Sequence, residues 1–364
     1  MHKKIISGLI AAALLAVGSP AAYGQNIREA WITAERSAAI ARQQLYPYKG
    51  PVEHIFFHPL IAYPERAFDG DRMSKGYNDW FVTVKEFSRI IESLYKRNYI
   101  LVDIRSLYEE RISNGKRVVI AKTLQLPKGK KPLIISVDDL NYYDYMLANG
   151  NVSKLILDQG GNVAAFSRND QGSGIVSSEN EIIPLLDRFV RLHPDFSYQG
   201  AKAVIALTGY QGVLGYRTNL LRSPQYEAEK AEALRVIKRL KETGWSFASH
   251  GYGHLDAQKA SYKRLVADTE QWKREVEPLI GRTSVYIYPY GTRVETDSAK
   301  YRYLVQAGFT ALCSVGPTPY IRFKQDSFMM DRRHIDGIAL QTQRVRLLPL
   351  FDADEVIDPV RPLP

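Results

Sequence analysis

The chain has 364 residues, 45% of them apolar and 24% charged, with a formal net charge of +10. That composition belongs to a globular protein with a sizeable core and excludes a disordered or fibrous chain. The basic residues are spread along the sequence, with one short cluster at residues 128–131, so the charge does not point to nucleic acid. The single cysteine, Cys313, excludes an intramolecular disulfide, and its place in the apolar run 309–315 makes it a small core residue rather than a nucleophile.

The N-terminus predicts export. Lys3 and Lys4 precede an apolar stretch over residues 5–17, Gly18-Ser19-Pro20 breaks it, and Ala22-Tyr23-Gly24 supplies small residues for cleavage after about Gly24. The apolar stretch is too short to span a bilayer comfortably, and no later run is long enough to do so. Residues 25–50 read as a polar, Ala-rich helical extension over 27–45, ended by Pro47 and Gly50. A strand follows over 52–60, with His54 and His58 on one face by the period of two. Thr83 and Glu86 form a capping box for a helix over 84–97. A short strand is expected over 99–103 and a helix over 104–114, ended by Gly115.

Residues 131–139, Lys-Pro-Leu-Ile-Ile-Ser-Val-Asp-Asp, read as a buried parallel strand that ends in two carboxylates. From there strand and helix alternate. Helices are expected over 154–159, 179–192, 224–243, 257–279 and 296–307. Strands are expected over 162–166, 201–208, 245–248, 284–288, 309–315 and 328–333. Such alternation implies right-handed crossovers and a parallel sheet. About seven units from residue 52 onward predict an α/β fold: one distorted (β/α) barrel over residues 51–350, followed by a polar, Pro-rich tail over 351–364. A doubly wound open sheet is the alternative. No phosphate-cradling glycine fingerprint follows any predicted strand.

Three strand ends carry candidate chemistry. Asp138 and Asp139 close the strand at 131–139, and buried carboxylates are expensive unless paired, hydrogen-bonded or metal-bound. His250 and His254 close the strand before them, in His-Gly-Tyr-Gly-His. Their spacing suits a metal, and Gly251 and Gly253 place them in a loop. One carboxylate and two imidazoles make a three-ligand set for Zn²⁺ or a similar ion. In Tyr288-Pro289-Tyr290-Gly291 the turn frees the Tyr290 N–H to face an oxyanion. Tyr142, Tyr143, Tyr210, Tyr216, Tyr252 and Tyr290, with Pro289 in the turn between them, are candidates to line a cleft for sugar rings.

In this order the three motifs resemble the polysaccharide deacetylase family, carbohydrate esterase family four, also called the NodB-homology domain. The resemblance covers roughly residues 131–335. It implies a distorted barrel of about seven strands and a divalent metal, with Zn²⁺ first and Co²⁺ or Ni²⁺ as alternatives. By it Asp138 is the general base, Asp139, His250 and His254 are the metal ligands, and the Tyr290 amide stabilises the oxyanion. The family's orienting arginine in the third motif is replaced here by Ile287, so a partner for the base must come from elsewhere, with Arg293 the candidate. Gly251 stands where a Ser or Thr is usual. For the general acid, His334 is the first candidate and His58 the second.

The resulting expectation is an exported, metal-dependent hydrolase that removes acetyl groups from an N- or O-acetylated polysaccharide or peptidoglycan. The alternatives are a glycan-binding barrel without activity, and a glycosidase using Asp138 with a distant carboxylate such as Asp256.

Overall fold

The computed structural model of the chain describes residues 44–169 and 171–362. The expected export signal lies outside these residues, as does nearly all of the expected helix over 27–45. Its described end, Leu45–Pro47, is a strand paired antiparallel with Gln125–Pro127.

Seven parallel strands build the core: β1 (Glu53–Phe57), β2 (Lys131–Asp138), β3 (Val204–Leu207), β4 (Ser246–Ser249), β5 (Val285–Ile287), β6 (Ala311–Val315) and β7 (Phe328–His334). Each pairs with the next, and β7 pairs with β1, so the sheet closes into the expected (β/α) barrel. The distortion has a visible source. A short strand, Tyr99–Leu101, pairs with the lower half of β2, from Lys131 to Leu133. β3 pairs only with the upper half, from Ser136 to Asp138. The seam between β2 and β3 therefore splays at its lower end.

Side-chain parity sorts two cores. Ile134, Ala206, Ala248, Ile287, Ala311, Cys313 and Met330 fill the barrel axis, where the small residues make room. Ile55, Phe57, Ile135, Val137, Ile205, Leu207, Tyr286 and Leu312 face outward against the helical layer. That layer includes α1 (Val84–Lys96), α2 (Ile182–Leu192), α3 (Tyr226–Glu242), α4 (Tyr262–Glu275) and α5 (Ala299–Gln306). The capping box of α1 is present, with Glu86 N donating to the Thr83 hydroxyl and Thr83 N to the Glu86 carboxylate. Cys313 is fully buried, and burial pushes its thiol up to about 12, as a core residue requires.

Two expected helices are strands. Residues 104–114 form a single turn, Ile104–Leu107, and then a hairpin of Tyr108–Ser113 with Lys116–Ala121. Asn114 and Gly115, both at positive φ, make its two-residue turn. An Asn-Gly pair is a hairpin signal, and here it outweighs the helical spacing of the preceding residues. Lys154–Leu157 pairs antiparallel with Val163–Arg168, because a four-residue apolar run is ambiguous by period alone. The helix expected over 257–279 starts at Tyr262, behind the Ser261 cap, and stops at Glu275.

Candidate active site

Every chemistry-bearing residue singled out above a strand end meets at one mouth of the barrel, the end where the parallel strands finish. Asp138 is the last residue of β2 and points inward. Adjacent strand residues normally face opposite sides, but Asp139 sits at φ +58° and breaks that alternation. Both carboxylates therefore face one cleft.

His250 follows β4 directly. Its Nδ1 lies 2.9 Å from the Ile287 carbonyl at the end of β5, which leaves Nε2 facing the carboxylates, 4.0 Å from Asp139 Oδ1. Asp268 of α4 pins the loop that follows, accepting the N–H of Tyr252 and of Gly253 at 2.7 Å each. A Cβ on Gly251 would approach the Asp268 carboxylate to 2.8 Å, and φ there is +66°, so the glycine is what lets the loop close on its anchor. The loop delivers His254, whose Nε2 lies 3.5 Å from Asp139 Oδ2.

The ligand atoms of Asp139, His250 and His254 all lie within 4.8 Å of one another. Tetrahedral donors with bonds near 2.0–2.1 Å sit roughly 3.4 Å apart, so shifts of about 1 Å would close this set on an ion. Burial and the local charges fit the same use. Burial lowers the pKa of His250 more than the two aspartates raise it, the direction a metal ligand needs. Burial opposes the charge on Asp139, but His254, His250 and His58, together with a 2.5 Å hydrogen bond from Tyr143, hold its carboxyl below the usual range.

Asp138 is held differently. Arg332 of β7 donates through Nη1 to both its oxygens, at 2.7 and 2.9 Å, and to the Ser136 hydroxyl at 3.0 Å. Ser136 in turn lies 3.1 Å from His54 Nε2, and the guanidinium stands 4.1 Å above the Phe56 ring. Burial alone would raise the Asp138 pKa. Arg332, helped by His250, outweighs it and brings the group to about 2. Burial, and next the Arg332 charge, push His54 well below its ordinary value, so it stays neutral beneath the site. The expected partner, Arg293, does not reach Asp138. It lies 3.4 Å from Asp331 and over the Tyr320 ring.

Tyr290 adopts φ +57°, ψ +4°, and its N–H has no hydrogen-bond partner among the described residues. His334, at the end of β7, has Nδ1 2.7 Å from Asp336 and Nε2 3.2 Å from Gln343. Burial would lower its pKa, but the bond and charge of Asp336 raise it overall. His58, beyond β1, lies 3.1 Å through Nδ1 from the Trp80 carbonyl, and no described group bonds its Nε2. Both histidines line the same cleft of about 540 Å³ with the two aspartates, the metal-set histidines, Arg332 and the rings of Phe56, Trp80, Phe81, Tyr145 and Tyr290.

Of the expected sugar platform, Tyr290 lines the cleft and the other rings do not. Tyr142 is fully buried and donates to Glu181; Tyr143 is buried and bonds Asp139 and Thr208. Tyr210 stacks on Tyr143 outside the cleft lining. Tyr252 bonds Glu275, and Pro289 is buried. Tyr216 is buried and bonds the Leu155 carbonyl. The exposed rings at the cleft are the expected Tyr290 and two others, Trp80 and Tyr145. A motif-centred choice of tyrosines missed this because residues next to a catalytic loop are the ones recruited to brace it.

Arg332 and Asp268 were also missed, though each left a trace. Arg332 shares strand parity with Met330 and His334, so it projects onto the inner face of the barrel. Asp268 stands between Leu265 and Trp272 on the buried stripe of an amphipathic helix.

Residues 210–312 match the family model described as polysaccharide deacetylase. The matched segment contains the second and third motifs and ends before β7. No curated protein matches the chain. Among solved structures it is similar to the Streptococcus pyogenes deacetylase PplD in complex with acetate, at 12% identity and a TM-score of 0.44, over 80% of this chain and 94% of that one. It is also similar to BA0330 of Bacillus anthracis, assigned to the polysaccharide deacetylases, at 14% identity and 0.43, over 79% and 66% of the two chains.

Proposed function

We propose that this chain, a polysaccharide deacetylase by family, is an exported hydrolase that uses a divalent metal, Zn²⁺ first, to remove acetyl groups from a glycan. The observation that carries the reading is the pairing of two sites at one mouth. Asp139, His250 and His254 converge as a ligand set, and beside them Asp138 is kept ionised by Arg332. Co²⁺ and Ni²⁺ suit the same donors.

A divalent ion held by those three residues would acidify a water and polarise the acetyl carbonyl. Asp138, charged at any pH above about 2, accepts the proton of the attacking water. The Tyr290 N–H faces the oxygen on which charge develops. The leaving amine or alkoxide takes its proton from a histidine. His58 suits this role better than His334, reversing the expected order. Its Nε2 is unengaged, whereas both nitrogens of His334 have partners. Trp80, Tyr145 and Tyr290 offer faces for the sugar rings of an acetylated polysaccharide or peptidoglycan strand.

The rival readings lose their motives. The inactive barrel rested on a missing arginine and on altered motif edges; Arg332 bonds Asp138, and Gly251 is the residue its loop requires. The carboxylate named for the glycosidase, Asp256, is absent from the cleft lining and accepts instead from Thr292 and the backbone of Gln258 and Lys259.

Chelator-stripped protein should release acetate from a chitooligosaccharide, acetylated xylan or peptidoglycan only after reloading with Zn²⁺ or Co²⁺. His250→Ala should lose bound metal, while Asp138→Asn should keep it and lose about 10²–10⁴ in rate. Activity in Asp138→Asn equal to wild type would end the proposal.

A further inference from the structure

The segment after β7 returns to the cleft from behind. Two buried groups meet there: Arg361, with a side chain 1% exposed, and Glu86 of α1, fully buried. Arg361 donates through Nε and Nη2 to the two Glu86 oxygens, at 2.8 and 2.6 Å. Its remaining donors do not go to the carboxylate. Nη1 reaches the Asn78 carbonyl at 2.8 Å and Oδ1 at 3.0 Å, and Nη2 reaches the Phe81 carbonyl at 2.8 Å. Those two carbonyls bracket Trp80.

Trp80 and Phe81 form one wall of the cleft, and the Trp80 carbonyl is the group that holds His58 Nδ1. Asn78, in the last turn of the helix Ser74–Trp80, is gripped from a second element as well. Gln341 donates to Asn78 Oδ1 at 3.0 Å, and a Cβ on Gly337 would strike the Asn78 carbonyl at 1.7 Å. Gly337 opens the helix capped by Asp336, the partner of His334. Asp358 completes the clasp, its N–H on Glu86 and its carboxylate accepting from Thr83.

A clamp meant only to secure α1 would need the Glu86 pair alone. Burying an ion pair is seldom a net gain in stability, and an apolar plug would serve helix packing as well. What a guanidinium adds is a rigid planar fork that serves a carboxylate and two carbonyls at once. We propose that Arg361 is a positioning residue for the substrate cleft. By holding the carbonyls on either side of Trp80, it sets the indole against the sugar next to the acetyl group and keeps His58 in place. This rests on the deacetylase reading of the cleft.

Arg361→Lys tests it, since an ammonium cannot span the three acceptors. Chitopentaose, which needs the wall, is compared with 4-nitrophenyl acetate, which does not. The KM for chitopentaose should rise about five- to tenfold, with metal content and ester hydrolysis within about twofold of wild type. In a Trp80→Ala background the same substitution should add nothing to KM, because the KM effect runs through the indole, whereas any effect through the Trp80 carbonyl and His58 falls on kcat. Acrylamide quenching of Trp80, read as the difference from Trp80→Phe, should increase. An unchanged KM, additive effects, or equal losses on both substrates would overturn the inference. If Arg361→Lys does not fold, the Asn78→Ala/Gln341→Ala pair loosens the same turn without stranding a buried charge, and the same outcomes apply. Wild type inactive on chitopentaose, acetylated xylan, peptidoglycan and the ester alike would sink the deacetylase reading instead, while quenching would still report whether Arg361 holds Trp80.

Discussion

The two halves of the cleft are built in different ways. On one side, the ends of β2 and β4 present Asp139, His250 and His254 from short contiguous motifs. Their supports lie close by: the Ile287 carbonyl at the end of the next strand, and Asp268 on the helix that follows. On the other side, β7 and the turn beyond β1 bring Arg332, His334, His58 and Trp80 together from opposite ends of the chain. The lesson is one of tolerance. Ligands of one ion must agree to within a few tenths of an ångström, which favours short, stiff segments. A guanidinium or an aromatic wall can be delivered from any strand that reaches the same mouth, because long side chains span the difference.

The strongest way to break this contrast is through Arg332. Arg332→Lys should leave metal binding intact and lower kcat/KM about 10–100-fold, the cost of losing a buried two-point grip on the base. The pH profile supplies the sign. Burial raises the Asp138 pKa and Arg332 lowers it to about 2. In Arg332→Met, where the positive charge is removed as well, burial is no longer outweighed, the pKa rises, and activity should fail at acidic pH where wild type still works. An unmoved acidic limb would mean that Arg332 does not control the base.

The two histidines sharpen the comparison. His58→Asn should lower kcat about 10²-fold, whereas His334→Asn should cost about tenfold or less. Steady-state rates on chitopentaose at several pH values decide between them, and the reverse ranking would return the proton donor to His334.

The smallest effect is expected where the two halves touch. Glu181 is buried, accepting from Leu60 N at 3.2 Å beyond β1 and from the Tyr142 hydroxyl at 3.0 Å beyond β2. Burial raises its carboxyl from 4.5 to about 7, against the hydrogen bonds from Ile182, Leu60 and Tyr142. An acid whose folded pKa is raised binds more protons in the native state between those two values, so its contribution makes stability fall as pH climbs from about 4.5 to about 7. Glu181→Gln should flatten that slope by on the order of 1–3 kcal/mol across the window while leaving kcat nearly unchanged, read by denaturant melts at each pH.

Much of the architecture was legible from local pattern. The apolar run of β2 ending in Asp138-Asp139, the paired histidines and the Pro-Tyr-Gly turn each mark a strand end, and parallel strands in a closed barrel have no choice but to finish at one mouth. The hairpin at 108–121 was legible too, in Asn114-Gly115, but helical spacing masked it. The tyrosines misled because aromatic content does not say which rings are exposed: Tyr142 and Tyr143 brace the loop, while Trp80 and Tyr145 line the opening.

By itself, then, the order of residues determined which carboxylates and imidazoles stand at the strand ends. Strand period and turn residues act over a few positions, and so do the motifs that carry the carboxylates and imidazoles. Only the closed barrel decided who would serve that chemistry. Arg332 meets Asp138 across 194 residues of chain, and Arg361 meets Glu86 across 275. Contacts at such range are set by strand register and closure, which no local pattern encodes.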